Sequence, residues 1–140
     1  MQMSVLSLDH INLRTPDPQR TLSFFRDVLQ MKVGLSPGLS SIEEGGWVYD
    51  DRDLAIIHVG SVKTEYPTDS SIPFKSTEGS GAVHHIALQC SGFEVTKSRL
   101  AERSIQFTET NYPHIDLRQI FITESNGVLL ELNFTGAASG

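Results

Sequence analysis

Two short runs of alternating apolar and polar residues stand out along the chain: "LDHINLR" near the N-terminus and "VHHIALQ" at residues 83–89. Read as strands, alternate side chains share a face. Leu8, His10 and Asn12 then share one face of the first run, and Asp9, Ile11 and Leu13 the other. In the second run Val83, His85, Ala87 and Gln89 share a face, while His84 points the opposite way with Ile86 and Leu88. Each run ends in turn residues, "RTPDPQ" and "CSGF", and then changes to a helical period. In "PQRTLSFFRDVLQM", Leu22, Phe25 and Leu29 fall on one helical face, with Asp17 as the expected N-cap and Pro18 as the first helical residue. "FEVTKSRLAERS" predicts a second, less amphipathic helix with Phe93 and Leu100 inward. Three strands are expected after each helix: "MKVGLS", "GGWVYDD" and "DLAIIHVG" in the first half, and "IQFTET", "LRQIFIT" and "VLLELNF" in the second. Asn126-Gly127 is a hairpin signal between the last two.

Aligning His10 with His85, an offset of 75 residues, superposes strand, turn, helix and three strands of one half on the other. The expected fold is α+β, built of two βαβββ modules. The first covers about residues 4–60 and the second about 82–135. Residues 61–81, rich in Ser, Thr, Pro and Gly, read as a linker or lid.

The repeat also pairs chemistry. His58 lies in the last strand of the first half, 48 residues past His10, and Glu131 in the last strand of the second half, 46 past His85. A carboxylate inside "VLLELNF" is expensive to bury unless it is paired or metal-bound. His10, His85, Glu131 and His58 are therefore the candidate metal ligands. Two histidines and one carboxylate leave coordination positions open, an arrangement suited to Fe(II) and oxygen chemistry. A fourth ligand at His58 instead suits Zn, Ni or Co acting as a Lewis acid, and Mn is a further option. If His58 stands off the metal, it can serve as acid or base. A hairpin loop of two or four residues at Asn126-Gly127 puts Arg118 on the face of Glu131, where it can neutralise an anionic substrate; a three-residue loop puts Gln119 there instead. His114 and Tyr112 share the parity of Arg118 if the strand extends back through "NYPHID". His114 is then a catalytic candidate, and Tyr112 joins Trp47, Tyr49 and Phe121 as expected substrate-lining residues.

The 140 residues fit one domain and carry a formal net charge of −6. That charge argues against nucleic acid and anionic membranes as partners. The start "MQMSVLSLDH" has no secretory signal pattern, and Cys90 is the single cysteine, so a cytoplasmic location is expected.

Taken together, "LDHINLRTPDPQRTLSFFRDVLQMKVG" through "ESNGVLLELNF" resembles the vicinal oxygen chelate superfamily. That superfamily includes glyoxalase I, bleomycin and fosfomycin resistance proteins, methylmalonyl-CoA epimerase and extradiol dioxygenases. The resemblance implies a half-open, eight-stranded cupped barrel around one divalent metal. It puts His10, His85 and Glu131 at the common ligand positions, and His58 where members carry a fourth ligand or a catalytic residue. "HIDLRQIFITESNGVLLE" resembles the extradiol dioxygenase pattern at His114, Ile120, Glu124, Gly127 and Glu131; it departs at Phe121, where that family has Tyr, and at Ser125, where it has Pro. The implied activity is oxidation of a small bidentate, catechol-type substrate with Fe(II) favoured. A glyoxalase- or epimerase-like lyase or isomerase is the alternative, and a metal-free, bleomycin-resistance-like binding protein a further one. A homodimer is the expected assembly.

Overall fold

The computed structural model describes residues 2–35, 44–75 and 78–136. The expected strand end at Ser36 and part of the linker lie outside them. The chain divides into two units, Met1–Ser76 and Thr77–Gly140. Each is one βαβββ module.

The first module runs β1 (Ile11–Thr15), α1 (Pro18–Asp27), β2 (Lys32–Leu35), β3 (Gly45–Tyr49) and β4 (Ala55–Ser61). Its sheet order is β1-β4-β3-β2, with β1 parallel to β4 and the other pairs antiparallel. The helix starts as its sequence dictates. The Asp17 carboxylate accepts from the Arg20 N–H at 3.0 Å, and Pro18 occupies the first turn, where its missing N–H is harmless. Leu22 and Phe25 are fully buried, as are Val48 and Val59 of the sheet. Gly46 lies close to both neighbours: a Cβ there would sit 2.4 Å from Gly34 O on β2 and 3.0 Å from Leu22 Cδ1. The face opposite α1 carries His10, Asn12 and Arg14 on and just before β1, His58 and Gly60 on β4, and Gly45 and Trp47 on β3.

The second module runs β5 (Ile86–Cys90), α2 (Phe93–Glu102), β6 (Thr108–Tyr112), β7 (Leu117–Thr123) and β8 (Leu129–Thr135). Its order, β5-β8-β7-β6, repeats the first, again with one parallel pair, β5 with β8. Phe93 of α2 meets Phe134 edge-on at 5.3 Å, over a core containing Leu100, Ile120, Ile122, Leu130 and Leu132. β6 begins later than "IQFTET" suggests. The Ile105 N–H bonds back to Leu100 O at 2.9 Å, and Ser104 takes φ 55°, so these residues close the helix rather than start a strand. Among the described residues no helix is long and apolar enough to cross a membrane.

The linker is not a free tether. Arg14 donates to Asp69 Oδ1 at 2.9 Å and to Thr64 O at 2.6 Å, and its guanidinium lies 4.2 Å from the Tyr66 ring centroid and 4.6 Å from that of Phe74. These contacts strap the chain after β4 onto the sheet face that carries His58.

Candidate functional site

The registers make the repeat exact to the residue. Asn12 faces His58 across β1 and β4, and Ala87 faces Glu131 across β5 and β8. His10 and His85 each sit two residues before the first member of those pairs, one residue ahead of their strands. Both side chains are 37% exposed.

In the first module three rings form a tier. Trp47 stacks on His58 at 4.4 Å and meets His10 edge-on at 5.0 Å. His10 Nδ1 donates to the Asp9 carboxylate, 2.5 Å away. A carboxylate can only accept here, so Nδ1 carries a proton, and in the neutral ring Nε2 keeps its lone pair. His58 is held the other way round. Asn12 Nδ2 lies 3.2 Å from the His58 backbone carbonyl and 2.9 Å from His58 Nδ1. The carbonyl requires the amide nitrogen on that side, so Nδ1 accepts and the proton of neutral His58 is on Nε2. Burial, and secondarily the Coulombic repulsion that His10 exerts when it is protonated, hold the His58 imidazole below its ordinary pKa, which favours this neutral form.

In the second module His85 Nε2 lies 3.8 Å from Glu131 Oε1. A file of side chains holds the other carboxylate oxygen. Thr110 Oγ1 donates to Gln119 Oε1 at 2.8 Å, Gln119 Nε2 to Asn133 Oδ1 at 2.9 Å, and Asn133 Nδ2 to Glu131 Oε2 at 3.0 Å. Every bond in the file is directed toward Glu131, which turns Oε1 to His85. His84 is not the remote residue that strand alternation implied: its Nδ1 lies 2.9 Å from His85 Nδ1. Asp9 and His84 are equivalent under the repeat, so in both copies the preceding residue engages Nδ1 of the candidate ligand.

Two expected site residues are corrected. Arg118 is on the opposite face of β7 from Glu131, because Phe121 faces Glu131 and Gln119 faces Asn133. The Glu124–Val128 pair closes a three-residue loop, which gives this parity. Arg118 instead lies over the Phe93 ring at 4.3 Å, with Nη1 3.8 Å from Glu94 Oε1. His114 is exposed in a 3₁₀ turn, Pro113–Ile115, because Pro113 ends β6. Its end of the β6–β7 hairpin is Tyr112–Leu117, about 13 Å along the ladder from Phe121 and Glu131. Phe121 and Tyr112 do share the Glu131 face. Trp47 is committed to the His10–His58 tier. Tyr49 lies beside Gly34, with Lys32 Nζ 5.3 Å from its ring. Sequence parity missed the roles of Asn133 and Asn12, and it missed Tyr66, whose hydroxyl lies 3.3 Å from Asn12 Nδ2.

Among the described residues no three His, Cys, Asp or Glu side chains are gathered so as to hold an ion. The donor chemistry fits a borderline divalent cation. His10 has an Nε2 lone pair, His85 has one whenever it is the proton donor to His84, and Glu131 has one oxygen tethered and one turned to His85.

The family model for the glyoxalase/bleomycin resistance protein/dioxygenase superfamily matches residues 7–132. The chain belongs to that superfamily. Solved structures similar to this chain include a virulence protein from Salmonella typhimurium, 18% identical, with a TM-score of 0.68 over 94% of this chain and 98% of that one. A lactoylglutathione lyase from Agrobacterium tumefaciens is 14% identical, with a TM-score of 0.66 over 93% and 94% of the two chains. A glyoxalase/dioxygenase from Nostoc punctiforme is also 14% identical, at 0.66 over 97% and 99%. At these identities the likeness shows the shared fold. No curated protein sequence matches the chain. The superfamily holds enzymes as well as members that act without catalysis.

Proposed function

We propose that this superfamily member is a metal-dependent dioxygenase acting on a small bidentate, catechol-type substrate. His10, His85 and Glu131 are the metal donors, and His58 is an acid/base held off the metal. One observation carries this assignment: the imidazole tautomers differ. His10 carries its proton on Nδ1 and offers Nε2, whereas Asn12 keys His58 to accept at Nδ1 and carry its proton on Nε2. An Nε2–H group donates a proton and does not ligate through that atom. A 2-His-1-carboxylate Fe(II) centre supplies open positions for a chelating substrate and for oxygen. In this reading Asp9 and His84 orient the two histidines, the Gln119–Asn133 file orients Glu131, and His58 supplies a proton from Nε2.

The test uses protein purified without a chelating tag and loaded anaerobically with Fe(II). His10→Ala, His85→Ala and Glu131→Gln each lose bound iron, while His58→Gln keeps it and loses oxygen uptake with catechols. Loss of iron from His58→Gln overturns the assignment. It favours the second reading, a four-ligand lyase or isomerase, which one observation supports: His58 occupies the register position of Glu131.

A further inference from the structure

The two modules share a histidine, His10 or His85, at matching places, but differ beside it. Where the second module has Gln119 opposite Asn133, the first has Gly45 opposite Gly60. The phenol of Tyr66 occupies the room those glycines leave. A Cβ on Gly60 would fall 1.9 Å from Tyr66 Oη. The strap that delivers Tyr66 is tightly specified. Asp69 Oδ2 accepts from the Tyr66 N–H at 2.8 Å, Asp69 Oδ1 accepts from Arg14, and the Arg14 guanidinium lies between the Tyr66 and Phe74 rings. Arg14 is buried at this point, its side chain 8% exposed, and its Nε has no hydrogen-bond acceptor among the described residues, so the two ring faces are its compensation. The Tyr66 ring lies nearly parallel to His58 at 6.3 Å. Its oxygen accepts from the same Asn12 amide that keys His58, while its own proton has no acceptor among the described residues.

We propose that Tyr66 is a substrate-contacting residue whose phenol O–H donates to an anionic oxygen of the ligand beside His58. The proposal rests on the functional reading above, in that it takes the His10–His58 face as the ligand side. A wholly structural Tyr66 would need only its ring, which packs on Arg14. Phenylalanine preserves that ring and removes only the donor, so Tyr66→Phe separates the two roles. Gly60→Ala keeps the hydroxyl but pushes it from its place.

The probe is 4-nitrocatechol, titrated anaerobically into the Fe(II)-loaded protein and followed by the nitrocatecholate absorbance, with the thermal midpoint measured in parallel. Tyr66→Phe is expected to bind the probe about tenfold or more weakly with an unchanged midpoint, as loss of one hydrogen bond to a charged oxygen predicts. Gly60→Ala is expected to weaken binding in the same direction. Equal binding by wild type and Tyr66→Phe overturns the Tyr66 contact and leaves the metal reading standing. No binding by wild type overturns both.

Discussion

Replacing Glu124 with alanine is expected to destabilise the second module by about 2–4 kcal/mol. Glu124 is only 3% exposed at the end of β7. Its Oε1 accepts the backbone N–H of Asn126 at 2.7 Å and of Val128 at 3.0 Å, and its Oε2 accepts from Asn126 Nδ2 at 2.9 Å. The carboxylate therefore fills the inside of the loop whose closing pair is Glu124–Val128. Val128 is 3% exposed, so alanine at 124 leaves its N–H without that acceptor and away from water, at a cost of about 1–3 kcal/mol. The remaining bonds lie nearer solvent, where water replaces part of what is lost, and add about 1 kcal/mol. Glu124→Gln keeps an acceptor oxygen of the same shape and gives up mainly the charge assistance, so its loss is about half as large. Urea unfolding followed by circular dichroism measures both variants, with the slope checked for constancy. A loss below about 0.5 kcal/mol for Glu124→Ala would refute the claim that this carboxylate holds the loop. If the claim holds, hydrogen exchange at Val128 also accelerates in the alanine variant, while exchange in β1 and β4 is unchanged.

Other perturbations test separate parts of the structure. Phe25→Ala removes a fully buried ring between α1 and its sheet and is expected to cost about 3–5 kcal/mol in the same unfolding measurement. Arg14→Met breaks the anchor of the strap, so limited proteolysis is expected to cut within residues 62–74 faster than in wild type, with β1–β4 intact. The Asp69 carboxyl is held below its ordinary pKa by the Tyr66 N–H and by Arg14. A depressed carboxylate contributes stability that is present above its unfolded pKa, about 4, and lost as pH falls through the folded value. Hydrogen exchange in the strap is therefore expected to quicken below about pH 4, and an unchanged strap at that pH would count against the Arg14–Asp69 anchor. Burial pushes the Cys90 thiol up to about 11, so alkylation by iodoacetamide at pH 7.5 is expected to be far slower than for a free thiol and to accelerate in urea.

How far the sequence discloses this structure depends on whether a strand ladder enforces what alternation suggests. The matching places of His10 and His85, and of His58 and Glu131, were legible from the repeat offset, and the ladders Asn12–His58 and Ala87–Glu131 keep that parity. His84 was not, because it and His85 both precede β5, where no pairing forces successive side chains apart; their rings meet instead. The face of β7 hung on a single number, the loop length. Asn126-Gly127 signals a two-residue turn, but Gly127, at φ 82°, closes a three-residue loop, and one residue more exchanges Arg118 for Gln119 on the Glu131 side. The signal that decides this is Glu124, whose carboxylate collects the loop N–H groups.

The strap was hidden for a different reason. Arg14 and Asp69 are 55 residues apart, and no local period connects them. What the sequence does show is glycine at 45 and 60, where the second half carries Gln119 and Asn133. They matter because they break the symmetry of the repeat. A duplicated fold that needed only two equal halves would fill both positions alike. Here one half spends them on a file of amides that aims a carboxylate, and the other leaves them empty so that a phenol can lie beside an imidazole. Only the histidine ahead of the first strand is common to both copies, so the difference between the copies is where the specificity proposed for the site is to be sought.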